Sequence, residues 1–338
     1  MIAPRTRRRL EFGALAAGAG ALAGYAGQRH LSKRWRADQT AMEAAGLVLD
    51  DRLVHHQIPV SDGGSIHVVE TGAGPPIVLV HGLTLSVITW ARQLNGLSAN
   101  HRVIAIDQRG HGPSAAGTDG YGLDRLAEDV IEVLDALDVT GAVLVGHSLG
   151  GMVTMTAAIN SRDRLVDHVT GLALVATSSH PLAGVPVPAS VIDRLSARGE
   201  RSLARAERRG HPAIRGASML AWSMRVAYGN RPDPTAIELG RTMMAAMSPA
   251  SLGSLVRGIG SFKLKDRLGT IGLPTRVVIG THDVLTPPRH AKAMAEGIPN
   301  AELVVLPGTG HMVMLERPEE LNTMLHELSV VVTKGRPT

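Results

Sequence analysis

A serine flanked by glycines stands at the end of a predicted strand, in a pattern that would let its hydroxyl act as a nucleophile. The apolar run 143–145 leads into a Gly-x-Ser-x-Gly pentapeptide, residues 146–150, and a helix-like segment begins at once. Such a strand–turn–helix junction strains the serine backbone and lifts Oγ clear of both elements. Gly146 and Gly150 would let the strand and the helix approach closely. The sequence therefore predicts that Ser148 is a nucleophile rather than part of an ordinary glycine-rich loop.

A serine hydroxyl is a weak nucleophile, so it needs a neighbouring base, and that base needs an orienting acid. The predicted base is His311, in a glycine-rich loop directly after the last apolar strand. The predicted acid is Asp283, in the loop after the preceding strand. Both loops would leave the carboxyl ends of parallel strands, the edge at which sites form in open α/β sheets. The chain order Ser148, Asp283, His311 is the one expected for a triad at such a turn.

Acyl transfer also requires donors for the oxyanion that develops on the substrate. The predicted donors are two backbone N–H groups. One belongs to Leu149, immediately after the nucleophile, and the other to Leu83, in the loop after the apolar run 77–80. Gly82 would let this loop come close, and His81 is expected to brace it.

Four polar residues near these motifs have other interpretations. His147 is interpreted as a structural neighbour of the turn, and Asp107 as part of a turn beside the site, although it is also a rival for the acid. Arg109 could meet an anionic substrate, but a structural ion pair is favoured, and His282 is expected to be exposed. Because no other histidine has metal-ligand spacing and no phosphate-binding or dinucleotide motif appears, the sequence predicts neither a metal nor a cofactor.

Strand-like and helix-like segments alternate along most of the chain. This alternation predicts an α/β fold: a mostly parallel central sheet with helices on both faces. The predicted core comprises residues 54–177 and 263–332. Within it, predicted strands cover residues 54–60, 65–70, 77–80, 102–106, 142–145, 171–176, 275–280 and 302–306, and predicted helices cover 123–137, the segment after 148, 289–296 and 318–328.

The alternation stops between residues 178 and 262. This segment has no strand-like runs, and it holds eleven arginines against five acidic residues. It also carries five methionines, whose flexible side chains suit apolar, lipid-like substrates. The sequence predicts a helical cap insertion over the sheet, with a basic surface. The methionines are Met219, Met224, Met243, Met244 and Met247.

The N-terminal residues 1–36 differ in composition from the rest of the chain. They contain eight basic residues and one acid, whereas the remainder contains 27 basic and 29 acidic residues. Since the body is almost neutral, the high pI does not indicate nucleic-acid binding. Cysteine is absent, which excludes disulfides and thiol chemistry.

An arginine-rich start followed by the apolar run 12–27 resembles a twin-arginine export signal. Residues 1–36 have three interpretations: a cleaved signal, an uncleaved membrane anchor, or a disordered basic arm. The first two predict an exported or membrane-associated protein, with association through residues 1–36 and the basic cap. The third leaves a cytoplasmic protein as the alternative.

The stretch from Ile77 to Arg317 resembles the α/β-hydrolase fold superfamily. The segments that carry the resemblance are residues 81–82, 107–114, 146–151, 280–287 and 310–318. With its basic, apolar N-terminal arm, the chain further resembles actinobacterial members of unassigned substrate. Relatives with an aspartate nucleophile open epoxides or remove halide, and Ser148 argues against both reactions.

Together, the motifs and the resemblance imply a carboxylesterase- or lipase-like serine hydrolase. It would cleave small carboxylic esters with apolar groups through an acyl-enzyme. A carbon–carbon bond hydrolase, a perhydrolase or an acyltransferase could use the same triad. From a different class, the chain could be a silent hydrolase fold that binds a ligand.

Overall fold

A single eight-stranded sheet forms the centre of the protein, whose computed structural model describes residues 39–180 and 224–334. The strands are β1 (Val54–Pro59), β2 (Ser65–Thr71), β3 (Pro76–Val80), β4 (Arg102–Ile106), β5 (Ala142–His147), β6 (Val169–Val175), β7 (Thr275–Gly280) and β8 (Ala301–Leu306). Their order across the sheet is β1-β2-β4-β3-β5-β6-β7-β8. The β1–β2 and β2–β4 pairs are antiparallel, and every other pair is parallel. The predicted fold class is confirmed.

Helices flank this sheet and connect its parallel strands. They are α1 (Gln39–Ala44), α2 (Ala91–Leu97), α3 (Leu123–Ala136), α4 (Leu149–Asn160), α5 (Arg162–His168), α6 (Pro234–Ala246), α7 (Pro249–Ser261), α8 (Pro288–Gly297), α9 (Val313–Glu316) and α10 (Pro318–Lys334), with short 3₁₀ turns at Val87–Trp90 and Lys265–Thr270. Strands β3 and β5 lie at the centre of the sheet, and β5 is buried along its whole length. Parallel strands covered on both faces need continuous apolar sequence, which explains the runs at 77–80 and 142–145.

Some elements extend beyond their predicted bounds. Helix α10 continues to Lys334, six residues past the predicted end at 328. Ser329 and Val332 are buried in this extra stretch, and Val332 packs against β6 at Gly171, where an added Cβ would lie 2.9 Å from its side chain. Contact with the sheet therefore explains why the helix continues beyond the end that the sequence pattern predicts.

Residues 224–262 of the predicted cap contain two well-capped helices. The Asp233 side chain accepts a hydrogen bond from the Thr235 N–H at the start of α6, and Ser248 accepts one from Ser251 at the start of α7. Met224 and Met247 are buried, whereas Met219 lies outside the described residues. Because residues 181–223 are also outside them, the cap stays a prediction.

The predicted export or anchor segment, residues 1–36, lies outside the described part of the chain. Among the helices within residues 39–180 and 224–334, none is both long enough and apolar enough to cross a membrane. Membrane association through residues 1–36 therefore stays a prediction.

Candidate active site

Ser148 occupies the sharp turn between β5 and α4. Its backbone has φ 52° and ψ −114°, in the left-handed half of φ space that non-glycine residues rarely adopt. Four bonds hold the turn: the Ser148 N–H donates to Val175 O (3.0 Å), and Ser148 O accepts from Gly151 N (3.0 Å), Met152 N (3.2 Å) and Thr177 Oγ1 (2.6 Å). A strained conformation persists only where its surroundings over-determine it, which these bonds do.

The glycines on either side of Ser148 are required by close backbone contacts. A Cβ added at Gly146 would lie 2.4 Å from Gly150 O, and one added at Gly150 would lie 2.2 Å from Val80 O. Both distances are shorter than any ordinary carbon–oxygen contact. The turn therefore packs backbone to backbone against β3, as the pentapeptide predicts.

Asp283 and His311 lie in the loops that follow β7 and β8, and their side chains are hydrogen-bonded. Asp283 Oδ2 is 2.8 Å from His311 Nδ1, and both side chains are buried. Asp283 Oδ1 accepts the N–H groups of Leu285 and Thr286, each at 2.8 Å, and the Thr286 hydroxyl donates to Oδ2 at 2.7 Å. The loops therefore fix both oxygens of the carboxylate.

The surroundings of Asp283 favour its ionised form. Burial acts to raise the pKa of this carboxyl, but the adjacent His311 ring and the Thr286 donors outweigh it and hold the pKa below its usual range. An ionised Asp283 accepts the proton on His311 Nδ1. The lone pair of the neutral ring then lies on Nε2, the nitrogen that a general base must use.

His147 connects the nucleophile turn to the histidine loop. Its Nε2 donates to His311 O at 3.0 Å, the two ring centroids are 4.8 Å apart, and Trp90 packs edge-on against it. Burial and the neighbouring His311 lower the pKa of His147 well below its usual value, so the ring is neutral. This placement agrees with the interpretation of His147 as a structural neighbour.

The loop after β3 abuts Ser148. A Cβ added at Gly82 would lie 3.1 Å from Ser148 Cβ. His81 braces the loop by donating from Nδ1 to Gly82 O at 2.7 Å, while its Nε2 accepts from Gln108 N at 3.1 Å. Within the described residues, neither the Leu83 nor the Leu149 N–H has a backbone acceptor. The predicted role of these two groups as oxyanion donors stays a prediction.

The rival residues have structural partners. Asp107 Oδ1 accepts from Val87 N, and its Oδ2 lies 2.8 Å from His67 Nδ1. This carboxylate therefore joins the 3₁₀ turn that begins at Val87 to strand β2. Arg109 is fully buried between Asp129 and Asp62, at 2.6 and 2.8 Å, which agrees with the favoured ion pair. His282 is exposed, as expected.

Sequence reasoning missed two residues that hold this site together. Thr286 binds the acid, and its position three residues after Asp283 is a signal for a local side-chain-to-backbone turn. Glu316 accepts the N–H groups of Gly310 and Gly229, 3.0 and 2.8 Å away. No sequence signal identifies the second of these contacts, because it joins residues 87 positions apart.

Residues 39–180 and 224–334 contain no candidate metal centre. No group of three or more histidine, cysteine, aspartate or glutamate side chains there is arranged to hold an ion. The described site contains the Ser148 hydroxyl, the His311 imidazole oriented by Asp283, and the Leu83 and Leu149 N–H groups.

Comparison with known proteins identifies similar chains. A family model described as "Alpha/beta hydrolase family" matches residues 77–323. The dihydrolipoyllysine-residue acetyltransferase component of the acetoin cleaving system of Pseudomonas putida is 30% identical over 256 residues, which are 75% of this chain but only 62% of that protein.

Two solved structures are similar in both sequence and fold. A thermophilic esterase from Thermogutta terrifontis is 28% identical, with a TM-score of 0.67, over 82% of this chain and 99% of its own. Est816, described as an N-acyl homoserine lactone degrading enzyme, is also 28% identical, with a TM-score of 0.67, over 80% of this chain and 99% of its own.

Proposed function

Because the chain belongs to the alpha/beta hydrolase family, we propose that it is a serine hydrolase that cleaves carboxylic esters carrying apolar groups. The observation that carries the proposal is the 2.8 Å hydrogen bond between Asp283 and His311, in a loop tied by His147 to the strained turn of Ser148. This arrangement supports the roles of acid, base and nucleophile.

In the proposed reaction, Ser148 Oγ attacks the ester carbonyl carbon while His311 Nε2 takes the hydroxyl proton. Asp283 stabilises the resulting imidazolium, and the Leu83 and Leu149 N–H groups hold the oxyanion. As the tetrahedral intermediate collapses, the carbon–oxygen bond to the alcohol breaks and the imidazolium protonates the leaving oxygen. Water then attacks the acyl-enzyme with the same base, which releases the acid and restores Ser148.

A cavity of about 290 Å³ supports the preference for an apolar group. It lies between the loop after β3, the loop after β4 and helix α6, with Leu85, Leu239, Met243 and Met247 among its lining side chains. No described lining residue is Asp, Glu, Lys or Arg. The only titratable one is His111, whose pKa is lowered to about 3 by burial and by the neighbouring His81, so its ring is uncharged at neutral pH.

The cavity also begins close to a predicted oxyanion donor. The Leu85 N–H bonds to Gly82 O at 3.3 Å, which closes a tight turn around Leu83. A substrate carbonyl held by the Leu83 N–H would therefore have this uncharged cavity one turn away. The two similar structures, of an esterase and of a lactone-degrading enzyme, support an ester bond as the target.

The test is hydrolysis of a p-nitrophenyl ester series, from acetate to palmitate, by the full-length protein and by Ser148→Ala. We expect a clear optimum in acyl length for the wild type. Loss of the nucleophile should lower kcat by about 10⁴-fold or more, since only binding and oxyanion effects remain.

If the wild type is no faster than Ser148→Ala on every ester, the proposal fails. Labelling by a fluorophosphonate probe then separates the remaining classes. A labelled Ser148 would leave a hydrolase of another bond or an acyltransferase, and an unlabelled one would leave the silent binder.

A further inference from the structure

The loop that carries His311 is bonded along its length to residues 227–230, which we call the return segment because it follows residues 181–223 in the chain. The His311 N–H donates to Ala227 O at 2.6 Å, and the Asn230 N–H donates to Gly308 O at 3.2 Å. The two backbones are in direct contact, because a Cβ added at Gly310 would lie 2.4 Å from Gly229 N.

One carboxylate joins both backbones at this contact. Glu316 Oε1 accepts the Gly310 N–H at 3.0 Å, and Oε2 accepts the Gly229 N–H at 2.8 Å. Glu316 lies at the end of α9, five residues after His311, and its side chain is half-buried. Buried backbone N–H groups that lose their acceptor are costly, and here a single side chain supplies the acceptor for two.

The return segment is in turn fixed to helix α6. The buried Tyr228 hydroxyl donates to Ala236 O at 2.8 Å. A continuous set of contacts therefore runs from α6 through Tyr228 and Glu316 to the main chain next to His311.

We propose that Glu316 is a positioning residue that clamps the His311 loop to the return segment, so that the placement of the imidazole depends on helix α6 and on the chain leading into it. This inference rests on the proposed function, because it assigns His311 the role of base. The hydrogen bonds that the Glu316 carboxylate accepts from Gly229 and Gly310 come from backbone N–H groups, and Glu316 takes no part in the chemical step.

The chemistry of the clamp requires a carboxylate of this length. A glutamine at 316 offers one acceptor oxygen, and its NH₂ group would face the second N–H, donor against donor. An aspartate keeps two acceptor oxygens but is one methylene shorter, so it cannot reach both amides. Glu319, exposed three residues further on in α10, provides a matched control.

The experiment compares Glu316→Gln and Glu316→Asp with Glu319→Gln in the full-length protein, on the best p-nitrophenyl ester. We expect kcat to fall about 10²-fold in both Glu316 variants, as a small misplacement of a catalytic group allows, with KM within about twofold of the wild type. Glu319→Gln should behave as the wild type. Unchanged kcat in correctly folded Glu316 variants, or a change in KM alone, would overturn the proposal.

Amide hydrogen exchange tests the clamp without any activity. In the wild type, the Gly229 and Gly310 amides should exchange slowly and at similar rates, because one carboxylate protects both. Fast exchange of Gly310, or rates for the two amides that differ more than about tenfold, would contradict the clamp even if the variants do not fold. Should the wild type show no Ser148-dependent hydrolysis, the proposed function fails, while the exchange result still decides the clamp.

Discussion

Asp283 meets His311 Nδ1 with one oxygen only, at 2.8 Å, because its other oxygen is already held by two backbone N–H groups. The loop after β7 therefore fixes which oxygen faces the ring. An aspartate that is free to rotate could present either oxygen to the ring, whereas the N–H groups of Leu285 and Thr286 hold Asp283 in one orientation.

This fixed orientation of the Asp283 carboxylate predicts the behaviour of Asp283→Asn. The two N–H donors would hold the amide oxygen in the Oδ1 position, so the NH₂ group would face His311 Nδ1 and force the ring proton onto Nε2. In that tautomer His311 cannot accept the Ser148 proton, and we expect kcat to fall about 10⁴-fold with little change in KM. Steady-state ester hydrolysis measures this. The neighbouring exposed variant His282→Gln should keep wild-type kcat, and an equal loss in both would contradict the tautomer argument.

The lowered pKa of Asp283 predicts a pH dependence of stability. An aspartate whose pKa is lower in the folded than in the unfolded state binds fewer protons when folded, so its ionisation stabilises the fold above its ordinary pKa of about 4. That contribution is lost as the pH falls through the folded-state pKa. The difference in unfolding free energy between wild type and Asp283→Asn, measured with urea, should be constant near neutrality and shrink below about pH 4. If this difference in unfolding free energy grew below pH 4, the pKa of Asp283 could not be lowered in the folded state.

The cavity beside helix α6 predicts a change in substrate preference for Ala246→Trp. Ala246 lines this cavity, and an indole there would occupy much of its 290 Å³. We expect the optimum of the p-nitrophenyl ester series to move to shorter acyl chains, with kcat/KM for acetate within about threefold of the wild type. The control is Val331→Trp, at an exposed position on α10, which should leave the profile unchanged. An identical profile for all three proteins would remove the cavity from the substrate path.

The buried ion pairs of Arg109 predict a loss of stability rather than of chemistry. Arg109→Met would leave Asp62 without its ion-pair partner and Asp129 with Arg125 alone, and breaking a buried pair typically costs about 3–5 kcal/mol in unfolding free energy. Arg164→Met removes ion pairs to Glu128 and Asp135 at the surface, where about 0–1 kcal/mol is expected. Urea unfolding of both variants gives the comparison, and equal losses would show that burial does not govern these pairs.

The sequence predicts the class of the fold and the central strands closely because apolar runs and glycine turns are local signals. Residues 102–106 and 275–280 were predicted as strands with the bounds that β4 and β7 have. The loops after β5, β7 and β8 were predicted from the same pattern, and in the structure the side chains of Asp283 and His311 meet. Their catalytic roles, and that of Ser148, remain predictions that the experiments above address.

What the sequence does not reveal depends on contacts between distant segments. In the sequence, Glu316 is indistinguishable from an ordinary helix glutamate. Its role depends on the contact between the return segment and Gly310, which only the structure shows. Likewise, the choice between Asp107 and Asp283 as the acid is open in the sequence, because both follow strands. Only the positions of Val87 and His67 show that Asp107 already has partners.

Strand β6 ends at Val175, and the strand that pairs beside it, β7, begins a hundred residues later at Thr275. Ribosomes add about 5–20 residues per second, so β6 is complete on the order of 5–20 seconds before β7 begins to be made. Throughout this interval the nascent chain contains Ser148 and its turn but neither Asp283 nor His311. Under the proposed mechanism, the nascent chain therefore cannot attack esters until Asp283 and His311 have been added to it.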